Sequence, residues 1–424
     1  MNGKKKQLIE KHYAMAREIY AGYGVNTDQA LKTLSQIPIS LHCWQGDDVN
    51  GFEKQSGGTS GGILATGNYF GRASSPAELR KDLNKAFELI PGAKRLNLHA
   101  IYLDTKKSIE RNKIKPEHFA PWIDWAQQND AGLDFNPTFF GHPMAASNLT
   151  LSSPDSGIRD YWIEHGQACR KIAAAMGREL GKPCIMNVWI PDGFKDVTID
   201  RMGARQRLKT SLDALFTEKI SHRYMRDAVE SKLFGIGVET CTVGSAEFYL
   251  GYAAANKLLL CLDAGHFHPT EQISDKISSA LLYVDELLLH VSRPVRWDSD
   301  HVVTFDDELQ AIARECVNCG IDRIHIGLDY FDATINRIAA WAIGSRNMQK
   351  ALLKALLEPY SELKKMEKNF CNTQKLLMLE ELKSLPLGIV YDYYCLINNV
   401  VTGGQLYDSV MDYERKVLQL RSIK

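Results

Sequence analysis

Residues 257–266 (KLLLCLDAGH), 286–293 (ELLLHVSR) and 321–332 (IDRIHIGLDYFD) share one design: a short, almost unbroken apolar run that ends in Asp or His. Apolar runs of this length without alternation belong to strands covered on both faces, as in a parallel sheet flanked by helices. The segment 274–284 between the first two runs has the helical period instead. Working back towards the N-terminus, the same pattern recurs at 38–44 (PISLHCW), 95–102 (RLNLHAIY), 132–140 (GLDFNPTFF), 182–191 (KPCIMNVWIP) and 227–234 (DAVESKLF). Helix-period segments at 77–90, 116–129, 157–180 and 205–220 lie between them. Eight strand-helix units is the count that closes a barrel. The expected fold class is therefore α/β, a (β/α)8 TIM barrel over residues 35–345. That is longer than the typical ~250 residues, so insertions are expected.

Three segments fall outside the repeat. Residues 1–34 read as an N-terminal helical segment, amphipathic over 5–22, and 346–424 as a C-terminal helical extension whose apolar stripe must be covered by the barrel or by a neighbouring subunit. Residues 45–75 are rich in Gly and Ser and follow the first strand directly, which predicts a long mobile loop acting as a lid. Its run Gly57-Gly58-Thr59-Ser60-Gly61-Gly62 lacks the G-K-[ST] ending of a P-loop and the G-x-G-x-x-G of a dinucleotide fold, so mobility fits it better than phosphate binding.

The 424 residues carry 51 Lys+Arg against 51 Asp+Glu, and this balance argues against nucleic acid as a partner. No apolar run approaches the ~20 residues that cross a bilayer, and no leader is visible, so a cytoplasmic protein without membrane contact is expected. Nine scattered cysteines argue for reduced thiols rather than a disulfide framework. Cys316 and Cys319 form a C-x-x-C pair with no second pair or His at zinc spacing, and they read as two thiols near a helix end.

The chemistry sits at the C-terminal ends of the runs. His42, His99, Asn136, Trp189, Glu230 with Lys232, Asp263 with His266, His290 and Asp329 all fall there, and in a barrel these ends converge on the face that carries active sites. Singly, each is an ordinary core histidine or capping acid. Together they are hard to bury without cations, because clustered carboxylates repel each other and lose hydration. Asp263 and His266 can face one cavity across a Gly turn, and Asp298 and Asp300 lie on one side if that segment is extended. Mixed carboxylate and imidazole ligands suit Mn²⁺, Mg²⁺ or Co²⁺, and their number is enough for two metals. Lys232 shares a face with Glu230 and can polarise an oxyanion or simply form an ion pair. Trp189 and Phe331 are flat walls for a sugar or, equally, barrel core.

The stretches 41–48 (LHCWQGDD), 95–100 (RLNLHA), 230–235 (ESKLFG), 263–269 (DAGHFHP), 293–300 (RPVRWDSD) and 327–332 (GLDYFD) closely resemble the L-rhamnose isomerase family, and the similarity runs through nearly the whole chain. This resemblance implies a metal-dependent aldose-ketose isomerase that interconverts L-rhamnose and L-rhamnulose by a metal-assisted hydride shift. It further implies a homotetramer with two divalent sites, manganese first among Zn²⁺, Co²⁺ and Mg²⁺ as possible occupants. Carried over by motif, Glu230, Asp263, His290 and Asp329 are the ligands of a structural metal, and His266, Asp298 and Asp300 those of a catalytic metal. His99, Trp189 and Phe331 belong at the sugar, with Lys232, His99 and Asp329 expected in catalysis. The 6-deoxy methyl group needs apolar company, for which Val49, Ile63, Ile101 and Tyr102 are the candidates. Alternatives on the same barrel are an isomerase of another rare or 6-deoxy sugar, a metal-dependent hydrolase, and a sugar-binding protein whose metals are structural.

Overall fold

Eight parallel strands pair in sequence order and close on themselves, β1 (Ile39–His42), β2 (Lys94–His99), β3 (Gly132–Asn136), β4 (Cys184–Val188), β5 (Met225–Glu230), β6 (Leu259–Asp263), β7 (Leu287–Val291) and β8 (Ile324–Leu328), with β8 returning to β1. The computed structural model describes residues 3–53, 65–233 and 239–421. Every residue of β1, β3, β4, β6 and β7 is buried, as strands covered by side chains within and helices without must be. The apolar runs in the sequence overshoot the strands at their C-terminal ends. Cys43–Gly46 and Ala100–Tyr102 are single 3-10 turns, which fold the chain back over the barrel mouth instead of prolonging β1 and β2.

The helices begin where the sequence supplies a side-chain acceptor for their free N–H groups. Ser75 caps α3 (Pro76–Glu88), Asp155 caps α5 (Ser156–Leu180), Ser245 caps α7 (Ala246–Asn256), and Asp306 caps α9 (Asp307–Asn318). Cys316 lies in α9 and Cys319 at its C-terminal cap, both as free thiols. The last barrel helix, α10 (Arg337–Leu356), runs straight through the expected boundary at 345/346, so barrel and extension share one helix. Its cap Asn336 accepts from the N–H groups of Ile338 and Ala339.

The extension returns to the N-terminal end of the chain. In α13 (Leu387–Ile397), Tyr391 donates to Gln349 of α10 at 2.8 Å, and Tyr393 stacks on Tyr13 of α1 (Gly3–Ala21) with ring centroids 3.8 Å apart. Arg421 reaches Asp82 of α3 at 2.7 Å. The tail's apolar stripe is thus covered within the same chain, at least along α13.

The lid expectation needs correction at its flanks. Asp48 pairs with Arg337 at 2.7 Å, and Asp47 accepts from Tyr102 at 2.5 Å and from the Gly51 N–H at 2.7 Å. Gln45 exchanges two hydrogen bonds of 2.8 Å with the backbone of Asp332, and Thr66 forms a bridge with Asp332. Gln45, Asp47 and Asp48 bond to protein groups rather than to solvent, and with the Thr66 bridge they tie both flanks to the barrel. The glycine run 57–62 and Ile63 lie outside the described residues.

Candidate metal centre and cavity

The C-terminal ends of β5 to β8 place Glu230, Asp263, His290 and Asp329 around one point, with one ligand atom from each within 4.8 Å of the others. Register explains the convergence: Asp263 sits directly opposite His290, and His290 opposite Gly327, whose missing side chain leaves room for the imidazole. His290 Nδ1 lies 3.2 Å from an Asp329 oxygen, 3.3 Å from Glu230 and 3.9 Å from Asp263. None of these contacts has hydrogen-bond geometry, and neither ring nitrogen has a hydrogen-bond partner although the side chain is only 1% exposed. Three carboxylates around one imidazole nitrogen, without a hydrogen bond to join them, fit a divalent cation with oxygen and nitrogen ligands.

A second cluster, Asp263, His266 and Asp298, shares Asp263 with the first. His266 Nε2 is 3.4 Å from Asp298 and 3.8 Å from Asp263, while its Nδ1 is 3.0 Å from Glu230. The glycine between Asp263 and His266 is required here. A Cβ on Gly265 would stand 2.1 Å from Asp298 Oδ1, so only a residue without a side chain lets the two segments approach. The Gly265 N–H also donates to Asp263 at 2.7 Å, which fixes that carboxylate.

The extended geometry expected for Asp298 and Asp300 is not found. Residues 295–298 form a bend, and Arg296 (φ 76) and Asp300 (φ 41) adopt the left-handed region. Asp298 consequently enters the second cluster, whereas Asp300 lines the same cavity outside the cluster's 4.8 Å limit. Burial and the carboxylates of Asp298, Asp263 and Asp329 push the Asp300 carboxyl well above its usual range. Burial, reinforced by Glu230, Asp298 and Asp329, likewise raises Asp263 to about 7, although His266 opposes it. Burial disfavours charge on His266 and His290 too, but the surrounding acids hold both well above the ordinary imidazole value. Burial and mutual repulsion thus work against charge on several of these acids, and a cation among them would offset both.

Lys232 donates to Asp298 at 2.7 Å, lies 3.3 Å from His266 Nε2, and sits 4.8 Å from the centroid of Trp189. Burial works against its charge, but Asp298, Asp300 and Asp263 raise its pKa above the usual lysine value. His99 lies across the cavity, its ring 4.1 Å from Trp44 and its Nδ1 3.4 Å from the Thr138 hydroxyl. Its Nε2 is buried without a hydrogen-bond partner, and burial holds the ring neutral. Trp44, Trp189 and Phe331 wall the cavity, and Trp44 meets Phe331 edge-on at 5.6 Å.

The structure therefore brings together Glu230, Lys232, Asp263, His266, His290, Asp298, Asp300, Asp329, His99, Trp189 and Phe331. It does not bring Val49, Ile101 or Tyr102 to this cavity. All three are buried in the barrel core, Ile101 behind Gly51 and Tyr102 with its hydroxyl committed to Asp47. The sequence places Ile101 and Tyr102 at a strand end and Val49 in the loop after β1; the 3-10 turn after β2 carries Ile101 and Tyr102 behind the wall, and Val49 packs into the core. Trp44 and Pro137 were not singled out as site residues; Trp44 comes over the mouth because β1 stops at His42. Asn187, which donates a short hydrogen bond to Glu230, was also missed, since it is one polar residue inside an otherwise apolar strand.

Comparison with known proteins follows the same direction. A family profile described as L-rhamnose isomerase (RhaA) matches residues 7–421. The L-rhamnose isomerase of Pectobacterium carotovorum subsp. carotovorum (strain PC1) is 59% identical over 414 residues, covering 97% of this chain and 99% of that protein. That of Salmonella agona (strain SL483) is 57% identical over 415 residues, covering 98% and 99%. Among solved structures, an L-ribulose 3-epimerase matches with a TM-score of 0.48 at 12% identity, over 75% of this chain and 95% of that one. A D-allulose 3-epimerase from Methylomonas sp. in complex with D-allulose matches with a TM-score of 0.45 at 11% identity, over 77% and 96%. On the profile match and the full-length identity to these relatives, this chain belongs to the L-rhamnose isomerase family.

Proposed function

We propose that this chain interconverts L-rhamnose and L-rhamnulose as a metal-dependent aldose-ketose isomerase, with manganese as its cation and a hydride shift as its chemical step. The observation that carries this is a pair of ligand clusters, joined through Asp263 beneath one aromatic-walled cavity, in a chain of this family. Glu230, Asp263, His290 and Asp329 would hold one divalent cation, and His266 and Asp298, with Asp263 and Asp300 beside them, a second. Such cations, when bound, polarise neighbouring carbonyl and hydroxyl oxygens and offset the charge that develops on them.

The protein's own groups account for the rest. Lys232 stays protonated and is held in place by Asp298, so it can donate to a sugar oxygen as negative charge grows there. His99 stays neutral, and its Nε2 can bond a hydroxyl without adding charge. Trp44, Trp189 and Phe331 offer apolar faces to the C–H edges of an open-chain sugar and exclude water. Isomerisation moves one hydrogen between C1 and C2 and one proton between their oxygens. Among the described acids lining the cavity, Glu230, Asp263 and Asp329 belong to the ligand clusters, and Asp300 stands beside the second, where the proposed cation would engage it. None is left over as a base at carbon, which favours transfer of the hydrogen as hydride.

The test is isomerisation of L-rhamnose by chelator-stripped protein before and after Mn²⁺ is restored, with L-fucose, L-mannose and D-xylose alongside. Ketose formed above all from L-rhamnose, and only with metal, is expected; activity without metal would overturn the proposal. Deuterium placed on C1 should stay in the rhamnulose, and its wash-out into solvent would end the hydride step. A homotetramer in the cytoplasm, supported by the family resemblance, completes the proposal, and a sedimentation mass other than four chains would refute that assembly.

A further inference from the structure

His99 meets the cavity with a nitrogen whose role the ring alone does not decide. A neutral imidazole carries a single proton, so Nε2 donates if Nδ1 is bare and accepts if Nδ1 holds the proton. Among the described residues Nδ1 has one hydrogen-bonding neighbour, the Thr138 hydroxyl at 3.4 Å, and that hydroxyl has no other. Thr138 is wholly buried in the segment that follows β3. A buried O–H without an acceptor is costly, and His99 Nδ1 is the acceptor within its reach.

The backbone of Thr138 is held from both sides. Its N–H donates to His165 Nε2 at 3.0 Å, and its carbonyl accepts from Arg111 at 2.8 Å. His165 Nδ1 donates to the Arg111 carbonyl at 2.8 Å, which keeps Nε2 bare for Thr138. Arg111 is itself buried and directs its other N–H groups to Glu53 and to the carbonyls of Phe140 and Gly141. A segment gripped at so many points keeps the Thr138 hydroxyl on His99.

We infer that Thr138 is a positioning residue for His99: its O–H donates to Nδ1, so the cavity-facing Nε2 carries the proton of the ring and donates a hydrogen bond to a sugar oxygen. Burial, with His42 and His290 nearby, keeps the ring neutral, so only one proton is at issue. Nε2 lies in the cavity wall with no protein acceptor, which leaves its N–H for a ligand. A carbonyl or hydroxyl oxygen satisfies that donor, whereas a donor-only ammonium in its place would set N–H against N–H. The inference rests on the proposal that this cavity takes an open-chain sugar.

Neutron diffraction from crystals of the perdeuterated full-length chain reads the tautomer directly and needs no variant. A deuteron on His99 Nε2 and none on Nδ1, with the Thr138 O–D aimed at Nδ1, is expected; a deuteron on Nδ1 would overturn the inference. Kinetics reads the consequence. Thr138→Val keeps the shape and deletes the hydroxyl, so kcat/KM for L-rhamnose should fall on the order of tenfold, the worth of one hydrogen bond, while Thr138→Ser should stay within about threefold of the wild type. In a chain that already carries His99→Leu, Thr138→Val should cost nothing more, because the ring it orients is gone. Equal losses in Thr138→Val and Thr138→Ser, or an undiminished loss in the His99→Leu chain, would make Thr138 merely structural and overturn the inference. A wild type that does not isomerise L-rhamnose would end the proposed function, and the deuteron on His99 would still decide the tautomer.

Discussion

Gly265→Ala isolates the catalytic half of the proposed centre. The new Cβ would lie 2.1 Å from Asp298 Oδ1, 3.0 Å from its Cγ and 3.2 Å from its Cα, so the carboxylate must turn away and the segment give by a few tenths of an ångström besides. Gly265 has no positive φ, and the backbone itself accepts alanine. The Asp298 carboxylate oxygen must move by about 1 Å, and a misplacement of that size at a reacting site costs roughly 10²-fold in rate, or ~2.7 kcal/mol. The retreat also breaks the 2.7 Å ion pair that orients Lys232 and the 3.4 Å approach to His266. The first cluster contains no residue on this contact except Asp263, whose bond from the residue 265 N–H survives the substitution. Equilibrium dialysis with Mn²⁺ should therefore show one site near wild-type affinity and one weakened about 10- to 100-fold. Activity on L-rhamnose should fall chiefly in kcat. Wild-type turnover together with two undisturbed Mn²⁺ sites, in a variant that melts normally, would refute the steric account of why glycine stands here.

Lys232→Met removes the cation beside the sugar while keeping much of the side-chain volume, and kcat should drop ~10²- to 10³-fold with KM nearly constant; an unchanged kcat would remove Lys232 from the chemistry. Saturation with Mn²⁺ at about 100 times its Kd should add ~2.7 kcal/mol to the unfolding free energy, read as a rise in Tm that chelation reverses. Asp134 accepts from Arg95, Ser40 and the Ile185 N–H at the opposite end of the barrel, and Asp134→Asn should cost ~3–5 kcal/mol in a denaturant titration. Burial alone would raise the Asp134 carboxyl, but Arg95 and these hydrogen bonds hold it below the usual range. Its stabilisation is therefore complete above the unfolded carboxylate pKa, near 4, and is lost as pH falls through the lower folded value. The variant should show a shallower acid limb than the wild type.

How much of this was legible beforehand differs between strands and loops. Residues 257–266, 286–293 and 321–332 announce buried parallel strands because the apolar period records which faces meet no water, a property each element carries within itself. The eight-fold alternation then implies closure, and closure implies that Glu230, Asp263, His290 and Asp329 converge, since the topology brings strand ends to one face. Strand ends themselves were less legible. PISLHCW reads as one run, yet β1 stops at His42 and a 3-10 turn swings Trp44 across the mouth.

What the amino-acid order alone determined was the barrel, the ligand chemistry and the side of the barrel that bears it. Tertiary structure decided the rest. Asp298 reaches the second cluster through a bend with left-handed residues at Arg296 and Asp300, and through a gap that exists only because Gly265 has no Cβ. Asp47 and Asp48 look like solvated loop acids until Tyr102 and Arg337 come against them from distant parts of the chain. Val49, Ile101 and Tyr102 look available to a methyl group until the turns bury them. Periodicity encodes burial within an element, whereas contacts between loops depend on ångström-scale packing across elements, and spacing along the chain does not record that distance.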